Sequence, residues 1–261
     1  MPVHCFESRR KKILMHLRTA GEADVADLVA RLGASEATIR RDLLELEREG
    51  LLVRTFGGAR AVSEASLVAR TFDQRRSQMS AEKERIATEA AKLVEPGMSV
   101  MIDSGTTCHA FAEKLVEKVP LQVITSALPV IEALGEASGI ELIVCGGRFR
   151  LANLDFIDSP VDFSSFHADL LVLGCDSMIP GRGVFSYDMQ SAAISRQMAA
   201  GADRVIILGD HTKIGKGACH RILTPDEIAC FYTTRPEEEV LTRLLNDPFQ
   251  TVLCDDPSML D

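Results

Sequence analysis

Five short stretches in the second half of the chain hold hydroxyls, glycines, carboxylates and cations, each just after an apolar run. They are Asp103-Ser104-Gly105-Thr106-Thr107, Thr125-Ser126, Gly146-Gly147-Arg148, Asp176 after Val-Leu-Gly-Cys, and Asp210-His211-Thr212-Lys213. The first is an anion cradle in outline: hydroxyls and a glycine stand where a helix begins, so unpaired backbone N–H groups would point at a bound anion. Asp103 repels a phosphate, so its carboxylate suits sugar hydroxyls. Lys213 supplies a point cation against phosphate charge. Gly147 permits close backbone approach beside the cation of Arg148. Any one stretch also reads as a capped turn. Together they mark a small-anion site, because all five follow strands of what reads as a single sheet. Asp103, Asp176 and Lys213 are also group types that acid–base catalysis uses.

A second group lies near the N-terminus. In the run Ser35-Glu36-Ala37-Thr38-Ile39-Arg40-Arg41, Ser35 caps a helix in which Ile39, Leu43 and Leu46 share one face. Arg41 falls on the opposite face, with Arg40 at the boundary. A helix with one packed face and arginine on the other, preceded by a helix and a tight turn, suits insertion into the DNA major groove. Its first residues would enter deepest. Ser35, Glu36, Thr38 and Arg41 are therefore the candidates for base edges, and Arg40 for a phosphate. Arginine suits guanine because its guanidinium can donate to O6 and N7 together. Arg54 and Arg60 flank Gly57-Gly58, read as a hairpin turn with positive φ, and form a wing against the sugar-phosphate backbone. The competing reading of residues 8–61 is a three-helix module that binds protein.

The elements that must position these groups follow from periodicity. Residues 8–20 read as a helix with Ser8 as its cap, and 21–23 as a turn. Residues 24–32 read as a second helix, then Gly33-Ala34 as a turn, and 36–49 as the third helix, closed by Gly50. Residues 61–80 are polar and weakly periodic, a connector. From Ala81 onward, short β-rich runs alternate with amphipathic helices, which implies an open, mostly parallel sheet covered on both faces. Such sheets bind ligands beyond the carboxyl ends of their strands. The expected organisation is an α/β chain with a winged helix-turn-helix over 1–61, a linker over 62–80 and an α/β domain over 81–261.

The net charge of −9 is unevenly distributed. Residues 1–60 hold 11 Lys+Arg and 9 Asp+Glu, so the excess acid lies entirely in the larger domain. A mildly basic N-terminal segment on an acidic body suits DNA phosphate contacts. No apolar run approaches the ~20 residues of a membrane span, and the N-terminus lacks a signal-peptide core. Seven widely spaced cysteines without C-x-x-C fit reduced thiols of a cytoplasmic protein. The six histidines form no H-x-x-x-H pair, so no metal site and no cofactor are expected; His109 and His220 read as surface or capping residues. Gly181-Arg182-Gly183-Val184-Phe185-Ser186 lacks the last glycine of a dinucleotide fingerprint. Residues 209–217 miss the P-loop spacing and place Gly217 where Ser or Thr is needed.

The run from Ala34 to Ala59 resembles the winged helix-turn-helix signature of the DeoR family of repressors, through T-I-R-R-D-L, E-x-x-G-L and R-x-x-G-G-A. Phe56 stands where that family commonly carries histidine. D-S-G-T-T, G-G, G-x-D and the D-x-x-K-x-G of Asp210–Gly215 resemble the same family's effector domain, which is similar to ribose-5-phosphate isomerase folds. Thr125-Ser126 replaces the family's usual T-N, and residues 148–160 are less typical. The resemblance implies a repressor of a carbohydrate-utilisation operon that binds double-stranded operator DNA and is released by a phosphorylated sugar or sugar acid. It also implies a homo-oligomer, dimer or tetramer, with no membrane partner. The alternative is a sugar-phosphate isomerase-like enzyme carrying a DNA-binding appendage.

Overall fold

Hydrophobic positions at helical spacing close the smaller of two compact units into which the chain divides, Met1–Thr71 and Phe72–Asp261. The computed structural model describes residues 3–48, 52–55, 57–61, 72–215 and 218–255. In the first unit the order is α1 (Val3–Ala20), β1 (Glu22–Asp24), α2 (Val25–Leu32), α3 (Glu36–Arg48), β2 (Leu52–Arg54) and β3 (Gly58–Ala61). Ile13, Leu17, Leu28, Ile39, Leu43, Leu46 and Leu52 meet in one core. The face expected for the third helix is thus the face that packs. Asp42, on the same helix, is buried and accepts a forked hydrogen bond from the Arg9 guanidinium of α1. A buried carboxylate needs such a partner.

Three local expectations are corrected. The first helix begins at Val3, so position 8 is interior rather than a cap. Residues 22–24, read largely as a turn, form β1, which pairs antiparallel with β3 in the order β1-β3-β2. Neither Gly57 nor Gly58 has positive φ. Gly58 is required for space instead: a Cβ there would lie 2.0 Å from the Ala23 carbonyl oxygen, in the strand alongside. Gly50 and Phe56 lie outside the described residues.

The second unit continues with a helical stretch over 72–77. Then come α4 (Ser80–Ala91), β4 (Ser99–Ile102), α5 (Thr106–Glu113), β5 (Leu121–Thr125), α6 (Leu128–Leu134), β6 (Ile140–Val144), β7 (Arg148–Arg150) and β8 (Asp155–Ile157). After these follow β9 (Leu170–Gly174), β10 (Ser177–Ile179), β11 (Gly183–Ser186), α7 (Met189–Ala200), β12 (Val205–Leu208), β13 (His220–Leu223), β14 (Cys230–Thr233), α8 (Glu238–Leu244) and β15 (Gln250–Leu253). Residues 72–79, read as the end of the connector, belong to this unit, and Phe72 is buried in it.

Seven strands form one sheet in the order β15-β14-β12-β9-β4-β5-β6, and every neighbouring pair is parallel. Alternation along β4 shows why both faces are covered. Val100 and Ile102 enter the core that contains Ile86 of α4, Phe111 of α5 and Val130 of α6. Met101 enters the opposite core, with Ala192 and Met198 of α7 and Leu244 of α8. Side chains of successive strand residues point to opposite faces, so one strand serves two apolar layers. The chain steps outward from β4 through β5 to β6. It then returns to the other side of β4 and proceeds through β9, β12, β14 and β15. The order therefore reverses between β4 and β9, where open parallel sheets leave a crevice.

Candidate functional site

At that reversal lies a cavity of about 280 Å³. Three strand exits reach it: Asp103-Ser104-Gly105-Thr106-Thr107 after β4, Gly174-Cys175-Asp176 after β9, and Asp210, Thr212 and Lys213 after β12. These strands are adjacent in the sheet, so their carboxyl ends point into one space.

Part of the cavity lining comes from the start of α5. Gly105 is its N-cap and no side chain caps it, so the N–H groups of its first turn carry the helix's positive end without an internal partner. Lys213 lines the same cavity, and its ammonium has no hydrogen bond or ion pair among the described residues. Lys83, from α4, is buried and also lines the cavity. Its ammonium donates to the backbone carbonyls of Arg75 and Gln78. Burial pushes its pKa down. Asp210 opposes that shift, while the like charges of Lys213 and Arg75 add to it.

The same cavity is rich in held carboxylates. Asp103 accepts from the Ser195 hydroxyl and the Ser104 N–H, both at 2.7 Å. Burial pushes its carboxyl up to about 6, against the pull of those two hydrogen bonds. Asp176 accepts from the Ser186 hydroxyl at 2.8 Å and the Tyr187 N–H at 3.0 Å. Asp210 accepts from both the N–H and the hydroxyl of Thr212. Asp188 caps α7 by accepting from the Ser191 N–H at 2.7 Å, and Arg150 bridges Asp188 to Asp155. The cavity thus offers cations and a helix N-terminus to an anion, and oriented carboxylates and hydroxyls to a polyol.

Two of the five expected exits do not join this cavity. The Thr125 hydroxyl is buried and engaged, donating to the Ile102 carbonyl at 2.7 Å and accepting from the Ala127 N–H at 3.1 Å. Ser126 is buried, and its carbonyl accepts from the Phe156 N–H. Gly147 serves the β7–β8 hairpin: a Cβ there would lie 2.2 Å from the Ile157 carbonyl oxygen. Arg148 is exposed and pairs with Asp158 at 2.9 Å. These four lie at or after the carboxyl ends of β5 and β6, which lead away from the reversal. Sequence reading missed Arg75, Gln78, Lys83, Asn153, Tyr187, Asp188, Ser191 and Ser195, which also line the cavity. The Asp188-x-x-Ser191 spacing, a helix N-cap signature, was the available signal for two of them.

In the first unit, Ser35 and Thr38 share a hydroxyl–hydroxyl hydrogen bond of 2.7 Å, and the Thr38 N–H reaches Ser35 Oγ at 3.3 Å. Both side chains are therefore occupied in starting α3. Arg40 pairs with Glu36 one turn earlier at 2.7 Å, which reduces the bare negative charge Glu36 would present to a duplex. Arg54 stands 3.9 Å from Glu47. Arg41 and Arg60 are exposed, with no ion pair or side-chain hydrogen bond among the described residues. No group of His, Cys, Asp and Glu able to hold a metal occurs among the described residues, and no described helix is long and apolar enough to cross a membrane.

The model of the DeoR-like helix-turn-helix domain matches residues 9–65, and that of the DeoR C terminal sensor domain matches residues 78–235. A protein of Escherichia coli O157:H7 named for transcriptional repression of the aga operon is 34% identical over 223 residues, covering 84% of this chain and 83% of the relative. The glycerol-3-phosphate regulon repressor of Haemophilus influenzae is 28% identical over 247 residues, covering 94% and 96%. Among solved structures, ribose 5-phosphate isomerase A from Methanocaldococcus jannaschii is 18% identical with a TM-score of 0.40, covering 52% of this chain and 55% of that one. With one family model spanning its DNA-reading segment and another most of its sheet, this chain belongs to the DeoR family.

Proposed function

We propose that this protein is a transcriptional repressor of a carbohydrate-utilisation operon, released from double-stranded operator DNA by a phosphorylated sugar or sugar acid. In this reading α3 enters the major groove with Arg41 toward base edges, while Arg40, Arg54 and Arg60 address the backbone. The relatives named as repressors support the regulatory role over an enzymatic one. Readers of this type commonly bind two half-sites as symmetric oligomers, so a dimer or tetramer is expected.

One observation carries the effector side: an unpaired Lys213 ammonium and an uncapped α5 share a cavity with an array of fixed carboxylates. A ligand that carries both a phosphate and hydroxyls satisfies both sets of groups. Lys213→Met tests this. Because its ammonium holds no internal partner, the variant should fold with an unchanged Tm. It should also lose most of the thermal stabilisation that phosphorylated sugars give the parent, since a charge-assisted hydrogen bond is worth roughly 1.5–3 kcal/mol. Equal stabilisation of both proteins would contradict this placement of the phosphate.

The isomerase reading has one observation in its favour, the Asp103 carboxyl raised to about 6, within reach of proton exchange near neutrality. Its oxygens are, however, already held by Ser195 and Ser104. No turnover of pentose or hexose phosphates is expected from the purified protein; sustained turnover abolished by Asp103→Asn would favour the enzyme.

A further inference from the structure

The residues that first enter the second unit are also a wall of its cavity. Arg75, Gln78 and Met79 line it, although no strand exit lies nearby in sequence. Two contacts fix this segment. Phe72 is buried with its ring edge-on to His109 of α5, centroids 6.1 Å apart. Lys83 reaches back to the carbonyls of Arg75 and Gln78. Between them Met79 has φ 52 and ψ 38, a left-handed conformation that is unfavourable for a side-chain-bearing residue and persists only where surroundings hold it.

Lys83 is unevenly satisfied. An ammonium has three N–H donors, and these two carbonyls are its only hydrogen-bond partners among the described residues. It is 6% exposed, so water is a poor substitute. Its charge is disfavoured by burial and by the neighbouring cations Lys213 and Arg75, with Asp210 opposing them. An anion placed between Lys213 and the start of α5 would relieve that repulsion and take up the remaining donor.

We propose that residues 72–79 are a strap over the cavity, and that an anion bound inside locks it through Lys83. Occupancy is then transmitted to the first described segment that follows the DNA-binding unit along the chain. The strap has two states, pinned loosely by two neutral carbonyl bonds or tightly once the anion stabilises the ammonium that makes them. A ligand with differential affinity for two such states is what coupling requires. This inference rests on the anion reading of the cavity and adds the route by which the ligand is felt.

Hydrogen–deuterium exchange on the full-length protein, with inorganic phosphate as the probe, tests it. Broadening of the ³¹P resonance reports occupancy separately. Saturating phosphate should slow exchange of amides in 72–79 by about tenfold, including the Gln78 N–H bonded to the Gln74 carbonyl, as expected for a suppressed local opening. In Lys83→Gln the same amides should exchange fast without phosphate and stay fast when it binds. Phosphate that binds while wild-type exchange in 72–79 is unchanged overturns the strap but not the site. Absence of ³¹P broadening overturns the site and the strap with it. Unaltered exchange in phosphate-free Lys83→Gln overturns the clamp whatever the ligand does. Should that variant unfold, the wild-type titration alone still decides.

Discussion

Asp103 concentrates the chemistry of the cavity in one residue. Its carboxyl is shielded by the fold, oriented by Ser195 and raised from 3.8 to about 6. A carboxyl raised on folding binds its proton more tightly in the native than in the unfolded chain. Its protonated form therefore stabilises the fold below the ordinary carboxylate range, and that contribution is lost as pH climbs through about 6. In Asp103→Asn this part of the pH dependence disappears. Urea unfolding should show wild type losing about 3 kcal/mol relative to the variant between acid and neutral pH. Parallel stability curves would show that Asp103 titrates normally. The residue was legible as a candidate because Asp-Ser-Gly-Thr-Thr follows an apolar run. Its raised carboxyl was not, since the burial that raises it depends on how distant elements pack around β4, and the Ser195 hydroxyl that opposes the shift lies 92 positions away on α7.

The helices were the easiest elements to read. Ile39, Leu43 and Leu46 repeat at helical spacing, and that face is buried. On the opposite face, Arg41→Ala should weaken binding to DNA and lower the salt slope if it meets a phosphate, or relax discrimination at one base if it meets guanine. Competition binding against altered sites separates these, and unchanged affinity would remove Arg41 from the interface. Short strands were harder. β1, β7, β8 and β10 have three residues each, too few for alternation to register. β15 went unread as well, because Gln250–Leu253 carries no second apolar-polar repeat. Gly58 was identified as a turn glycine, whereas it admits the β1 backbone against β3. Gly58→Ala should destabilise the first unit by about 2 kcal/mol or more through overpacking, measured by thermal unfolding. A neutral result would mean that β1 can move aside without loss.

At the scale of the whole molecule, the sheet order decides which residues can cooperate. Strand exits were readable singly, but their convergence depends on where the order reverses. β4 and β9 flank the reversal with β12 beside β9, whereas β5 and β6 lie on the far side of β4, so Thr125, Ser126, Gly147 and Arg148 stand apart from Asp103, Asp176 and Lys213. Further lining comes from α7 and the residues just before it, and from α4 and the segment before that helix, whose polar, weakly periodic sequence reads as connector. Basic residues near the N-terminus and an acidic sensing body then divide the work between two units of one chain. The most direct measurement is competitive binding of the full-length protein to duplex fragments flanking its own coding sequence, repeated over a salt series and with a panel of phosphorylated sugars. Affinity for at least one fragment should fall steeply with salt and fall again when the right sugar phosphate is added. Failure to bind any fragment at low salt, or binding that no phosphorylated sugar alters, would contradict a repressor governed by an anion in this cavity.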